Sequence, residues 1–300
     1  MELRILQYFL MVAREENITR AAKQLHMTQP TLSRQLMQLE DELGKPLFIR
    51  GKRKIELTDE GVLLRRRAEE ILSLVNKTEQ EITQSEEEMV GQIMIGTGIF
   101  SSSQTVLSQV IEEFHDEYPL VKFDIYVGNA DLIKKRVDQG LVDIGILLEP
   151  VDISKYNHLR IPLQEKWGII VSKTNSLAHK PYVKKEDLKE LPLFLTNREI
   201  VQSEISNWLK GDVSLHSMFS YDFASAIHPF IQDDQGAAIT VEGAYQVLNQ
   251  KNICFIPFYP ELSTNTVFIW KKYTRLSPVI DRFIKKVQEY LEKSRSLYEK

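Results

Sequence analysis

The chain has 300 residues, 43% of them hydrophobic and 27% charged, with a net charge of −4. That length predicts two or three domains, and the composition is that of a globular protein. The single cysteine, Cys254, excludes an internal disulfide and a cysteine-rich zinc site, and its apolar run ICFIPF makes it a structural thiol.

The opening residues MELRILQYFLMVAREEN break their apolar positions with Glu2, Arg4, Gln7 and Arg14, which is not the layout of a signal peptide. No apolar run approaches the roughly 18 residues of a membrane span. The expected location is therefore the cytoplasm, with no membrane partner. Charge is unevenly distributed. Residues 1–67 carry 13 Lys and Arg against 9 Asp and Glu, a net of +4, and the rest carries 25 against 33, a net of −8. A basic head on an acidic body is the pattern expected when one end meets nucleic acid.

Leu3, Leu6, Phe9, Leu10 and Ala13 share one face of a helix predicted over residues 2–14. A second short helix is predicted from Ile18 to Leu25, with Ala21 and Ala22 small enough for close helix approach. His26 and Met27 make a turn, Thr28 is the N-cap of a third helix, and Pro30 falls in its first turn. Leu32, Leu36, Leu39 and Leu43 form the inner face, and Gly44 ends the helix. Gln29, Thr31, Ser33, Arg34 and Gln35 are then left facing solvent. The N-terminal half of a recognition helix enters the major groove, where Gln pairs with adenine and Arg with guanine. Next, PLFIRGKRKIEL sets Arg50, Lys52, Arg53 and Lys54 around Gly51, a basic two-stranded wing suited to phosphates or the minor groove.

This stretch resembles the N-terminal domain of LysR-type transcriptional regulators. The resemblance is carried by Ala21-Ala22, by Gln29-Pro30-Thr31-Leu32-Ser33-Arg34-Gln35, by Leu39 to Arg50, and by Leu57-Thr58-Asp59-Glu60-Gly61. It implies a winged helix-turn-helix over residues 1–58, reading double-stranded DNA. Thr28, Gln29, Pro30, Thr31, Ser33 and Arg34 would then lie at the groove, with Arg50, Lys52 and Arg53 on the wing.

Thr58 caps a long helix over residues 59–88, whose first turn carries Asp59 and Glu60 beside its positive end. Leu64, Ala68, Ile71, Val75, Thr78, Ile82, Ser85 and Met89 alternate spacings of four and three, an a/d register broken by two polar members. The seam predicts a homodimer joined through Leu64, Ala68, Ile71, Val75 and Ile82; the alternative is a helix lying across its own domain. Two paired recognition helices would read symmetric half-sites.

After a hinge at residues 89–92, strand-like and helix-like runs alternate: QIMIG, a helix to Tyr118, VKFDIYVG, LIKKRVDQG, VDIGILL, WGIIVS, LPLFLT, a helix around Ala224, AAIT, ICFIPF, VFIWKK and a C-terminal helix from Leu276 to Tyr298. The alternation predicts an α/β body with a mostly parallel sheet. This body again resembles the LysR-type effector domain, a two-lobed fold of periplasmic-binding-protein type. That implies lobe one over residues 93–161 and 268–300, lobe two over 162–267, and crossings near Pro162 and Val267. It also implies a small-molecule effector between the lobes, and a tetramer built from dimers.

Ligands in such folds sit beyond the carboxyl ends of strands, near helix N-termini. Candidate effector contacts are Gly98, Ser101, Ser102 and Ser103 after the first body strand, Asn129 after the second, and Thr196, Asn197 and Arg198 after a later one. The serines can cradle an anionic effector or cap the helix; Arg198 can pair with an acidic one or be solvated. Ala130 and the run from Gly236 to Glu242 depart from the family pattern, which loosens any transfer of ligand identity. No HExxH, Gly-x-Ser-x-Gly or Gly-rich phosphate loop stands in the chain. A binding protein without catalysis, metal or cofactor is expected. A solute-binding protein and a nonspecific DNA binder are the other classes open at this point.

Overall fold

Local punctuation places the first helices. Helix α1 spans Leu3–Glu15 and ends where Glu16 turns left-handed at φ 50°. Asn17, whose side chain accepts the Arg20 amide, caps α2 (Ile18–Gln24). Thr28 caps α3 (Gln29–Leu43), and Gly44 closes it at φ 66°. Strands β1 (Phe48–Arg50) and β2 (Ile55–Leu57) pair antiparallel as the wing, with Phe48 opposite Leu57. Helix α4 (Asp59–Thr83) follows. The computed structural model describes residues 1–51, 54–83, 89–189, 191–210, 217–248, 251–273 and 276–298.

The chain divides into two units, residues 1–84 and 85–300. Leu6, Phe9, Ala21, Leu32, Leu36, Leu39, Leu47 and Phe48 build the core of the first. Burial corrects the expected inner faces of two helices. On α1, Ile5 and Val12 are buried and Leu3 is exposed; on α3, Leu43 is 42% exposed. The core is closed by the wing and α4, so the last turn of α3 and the first residue of α1 have nothing left to pack on.

The second unit is built from β3 (Gly91–Thr97), α5 (Ser101–Glu117), β4 (Val121–Val127), α6 (Ala130–Asp138), β5 (Ile144–Leu148), β6 (Tyr156–Ser172), β7 (Leu193–Thr196), α7 (Glu199–Trp208), β8 (Ser217–Tyr221), α8 (Ala224–Gln232), β9 (Ala237–Val241), α9 (Glu242–Leu248), β10 (Ile253–Pro257), β11 (Ser263–Lys271) and α10 (Pro278–Tyr298). Residues 91 and 92 of the expected hinge already belong to β3. The sheet order is β4-β3-β5-β11-β6-β9-β7-β8, with β10 on the other side of β6.

In place of the expected mostly parallel sheet, the sheet is mixed. Strand β3 pairs parallel with β4 and β5, and β7 with β8 and β9. The pairings of β11 with β5 and β6, and of β6 with β9 and β10, are antiparallel. The cause is β6, 17 residues long, which runs through both lobes. Ile161 faces Thr266 and Gln164 faces Asn265, so Pro162 and Leu163 bulge out of the ladder at the lobe boundary. Proline has no N–H to give a ladder, and a bulge is where a strand tolerates it. On β11 the register shift falls between Asn265 and Thr266, beside the position expected for the second crossing. One hydrophobic core, including Ile95, Phe114, Trp167, Ile169, Ile239 and Phe268, continues through both lobes.

Candidate functional site

In the head, α3 is the element that can read bases. Thr28 Oγ1 accepts the Thr31 amide at 3.4 Å and lies 2.8 Å from Thr31 Oγ1. Thr28, Gln29, Pro30, Thr31 and Arg34 are exposed, and Ser33 is half-buried. Leu32 and Leu36 anchor the opposite face. Glu40 Oε1 accepts the amides of Leu47 and Phe48 at 2.8 and 3.2 Å, which ties the end of α3 to the wing. The wing is held to α1 by the Ile55 amide donating to Glu16 O and by the Lys54–Glu16 ion pair at 3.1 Å. Lys52, Arg53 and the side chain of Arg50 lie outside the described residues.

Thr58 Oγ1 accepts the Gly61 amide at 3.0 Å and donates to Pro46 O at 2.8 Å, starting α4 against the wing. A Cβ on Gly61 would stand 2.2 Å from Leu47 O, so glycine is what lets α4 approach. The expected dimer seam divides here. Ala68 is fully buried in the head's own core, with Leu64 and Ile71 packed against it. These three therefore hold α4 to its own domain in the single chain. Spacing cannot separate that role from pairing with a twin. Val75 is half-buried and Ile82 is 78% exposed, while Leu63 and Leu74, which fall outside the a/d register, are also exposed.

In the body, two parallel sets of strands, β3, β4 and β5 in lobe one and β7, β8 and β9 in lobe two, point their carboxyl ends at one cavity of about 150 Å³. Lobe one contributes Gly98, Phe100, Asn129 and residues 146–149; lobe two contributes Trp167, Thr196, Arg198, Val201, Tyr221, Asp222 and residues 239–241. Of the expected contacts, Gly98, Asn129, Thr196 and Arg198 line it. Asn197 instead lines a second depression, which shares Arg198 with the first.

Ser101, Ser102 and Ser103, expected either to cradle an anion or to cap the helix, are not among the residues that line this cavity. Glu165 of β6, 4% exposed, already takes the place of such an anion. Its Oε1 accepts the Ser102 amide at 2.9 Å and the Ser101 hydroxyl at 3.3 Å, and its Oε2 accepts the Gly243 amide at 2.8 Å. Ser102 Oγ pairs with Thr266 Oγ1 at 2.8 Å, and Ser103 Oγ donates to Phe100 O. The positive ends of α5 and α9 thus share one internal carboxylate.

Polar contacts bridge the two lobes at the cavity. Asn129 caps α6 through Oδ1 and donates from Nδ2 to Asp222 Oδ1 at 2.8 Å. Arg198 Nε reaches Asp131 Oδ2 at 3.3 Å, and its Nη2 donates to Pro150 O at 3.1 Å. Glu149 accepts from Arg160 Nη2 at 2.8 Å and Asn265 Nδ2 at 3.0 Å. Burial raises the Glu149 carboxyl, but Arg160 and Asn265 together hold it below its usual range. Tyr221, whose hydroxyl donates to Ile239 O at 2.7 Å, is pushed up by burial. Glu149, Trp167, Tyr221 and Asp222 join the site without a motif to announce them. Trp167 had a local signal, since it shares an inward strand face with Leu163, Glu165 and Ile169.

A winged helix-turn-helix and a two-lobed body with its cavity at strand ends define a DNA-binding regulator with an effector domain. Residues 3–62 match the family described as "Bacterial regulatory helix-turn-helix protein, lysR family", and residues 87–292 match "LysR substrate binding domain". The chain belongs to the LysR family of transcriptional regulators. It is similar to the HTH-type transcriptional regulator BsdA of Bacillus subtilis, 37% identical over 147 residues, a match spanning about half the length of each chain. It is 26% identical over 300 residues to the uncharacterized HTH-type transcriptional regulator YwbI of Bacillus subtilis, covering 97% of both. The fold is similar to full-length CbnR solved with its target DNA, with a TM-score of 0.71, 21% identity, and 96% and 99% of the two chains covered.

Proposed function

We propose that this chain controls transcription as a homodimer, assembled further into a tetramer, on pseudo-palindromic DNA, and that an effector in the interlobe cavity changes its hold on that DNA. The observation that carries the reading is α3, whose capped N-terminal half presents Thr28, Gln29, Pro30, Thr31, Ser33 and Arg34 on the side away from the core. These residues contact base edges and adjoining phosphates, and Arg50, Lys52 and Arg53 on the wing contact the DNA backbone. Similarity to CbnR, whose structure includes its target DNA, supports this orientation.

Pairing runs through the part of α4 that the head leaves uncovered, Val75 and Ile82 with Leu63 and Leu74 beside them. Gly98, Asn129, Thr196 and Arg198 contact the effector. The chain works by binding, without catalysis, in the compartment that holds the DNA. Among the described residues no helix is long and apolar enough to cross a membrane.

The test is footprinting of the full-length protein on fragmented DNA from its own source, with and without a metabolite extract. Protection of two-fold-related sites near promoters, altered by a metabolite fraction, is expected. Uniform binding without site preference would overturn the reading in favour of a nonspecific DNA protein. No binding at all would return the body to the solute-binding class.

A further inference from the structure

Two lobes that share a core are joined on one side and part more readily on the other. On the shared side, Glu165 ties α5 to α9, and one hydrophobic core runs through both lobes. At the cavity the joints are polar. Arg198 of lobe two, its side chain 10% exposed, donates from Nε to Asp131 Oδ2 at 3.3 Å and from Nη2 to Pro150 O at 3.1 Å, both in lobe one. Asn129 of lobe one donates to Asp222 of lobe two at 2.8 Å. Asn129, Arg198 and Asp222 also line the cavity.

These bonds set a direction of movement. They already stand at hydrogen-bonding distance, so at these points the lobes cannot approach further without a clash. The movement left is apart, and it breaks the contacts. Asp131 is 62% exposed, so the ion pair is partly screened, and the Pro150 carbonyl completes the hold on the guanidinium. An acceptor group of an effector placed against Asn129 or Arg198 competes with Asp222 and Asp131 for the same N–H groups.

Taking this cavity as the effector site, as the proposed function does, we propose that Arg198 with Asp131 and Pro150, and Asn129 with Asp222, form a latch across the cavity, and that the effector acts by releasing it. The response of the body is then an opening, the reverse of two lobes closing around a guest. Whatever favours the released form favours the effector equally, so cutting the latch by substitution imitates its effect.

The experiment reads the interlobe distance in the full-length protein by double electron–electron resonance. Nitroxides are placed at Lys135→Cys on α6 and Asn207→Cys on α7, both exposed positions, in a Cys254→Ser background. Labelled chains are diluted with unlabelled ones, so that only pairs within a chain are read. Asp131→Ala with Asp222→Ala is expected to lengthen the distance by more than about 2 Å without any addition. Asn129 is kept, because it also caps α6. An unchanged distance overturns the latch. A metabolite fraction that alters the DNA footprint is expected to lengthen the distance in the chain with its latch intact; a shortened or unchanged distance overturns release as the response. If no fraction alters the footprint, the effector reading of the cavity falls and release by an effector with it, while the double variant still decides whether the latch exists. Should that variant fail to fold, Asp131→Asn and Asp222→Asn, each alone, are read in the same way.

Discussion

Glu165 Oε1 stands 2.9 Å from the Ser102 amide, a side chain on the strand that crosses the lobes closing the first turn of a helix 63 residues away. Its second oxygen does the same for Gly243. The contact fastens α5 of lobe one to α9 of lobe two through a single buried carboxylate. We predict that Glu165→Gln destabilises the body, because one carboxamide end must turn an N–H toward an N–H. Losing a charged acceptor and stranding a buried donor costs about 2–3 kcal/mol. Urea unfolding of the full chain checks this; an unchanged body transition would remove the clasp from the account.

Gly61→Ala is predicted to weaken the head. In an ordinary helix interior the change is favourable by about 1 kcal/mol. Here the new Cβ meets a backbone oxygen, Leu47 O, at 2.2 Å, and forced overpacking costs roughly 1–3 kcal/mol. The clash should win, so the head melts earlier and DNA affinity falls. A head that melts later would mean that α4 shifts freely off the wing.

Much of this was legible in the sequence, and the boundary is physical. Thr28, Pro30 and Gly44 act on their own neighbours, so the turn that positions α3 can be read locally. The body strands are visible as apolar runs, but their partners are not. Nothing local says that residues 156–161 continue the WGIIVS strand through Pro162, or that the result pairs antiparallel with β11. The serines at 101–103 look open in the sequence because the carboxylate that occupies them arrives from Glu165. Glu165 itself is detectable as a charge within the inward alternation of Leu163, Trp167 and Ile169. Leu64, Ala68 and Ile71 keep a dimer's register while serving their own core, since periodicity identifies a buried face and not its owner.

That ambiguity yields a prediction. Ile82→Asp should weaken self-association at least about tenfold, because an isoleucine side chain is worth about 1.5–3 kcal/mol when buried and each chain of a dimer loses one. It should leave head stability unchanged, since Ile82 is exposed in the single chain. Ile71→Asp should lower both, because Ile71 packs on the head core. Sedimentation velocity alongside thermal unfolding separates the two. Self-association untouched by Ile82→Asp would rule out pairing through this end of α4.

Glu204 of α7 offers a pH-dependent readout of the body. Burial, and then repulsion from Glu149, hold its carboxyl above the usual glutamate range. A folded-state value above the unfolded one makes the protonated form favourable, so its contribution is present at low pH and lost as pH rises through the folded value. At pH 7 the ionised group is a liability. Glu204→Gln is therefore predicted to raise the body's melting temperature at neutral pH, with the gain shrinking on acidification and gone near pH ~4. A gain that is independent of pH would show that the carboxylate is not strained.

The last prediction divides specificity from affinity in the head. Arg34 is exposed on the first half of α3, beyond the Thr28 cap and clear of the core. If it pairs with guanine, Arg34→Ala costs about 1–3 kcal/mol on the protein's own site and far less on random duplex. The proposed role of Arg53, which lies outside the described residues, is phosphate neutralisation instead. Arg53→Ala should weaken both DNAs alike and reduce the slope of log affinity against log salt by about 0.9. Anisotropy titrations on both duplexes at several salt concentrations distinguish them. Equal losses on the two DNAs for Arg34→Ala would move Arg34 from base reading to backbone contact and leave sequence choice to Gln29, Thr31 and Ser33.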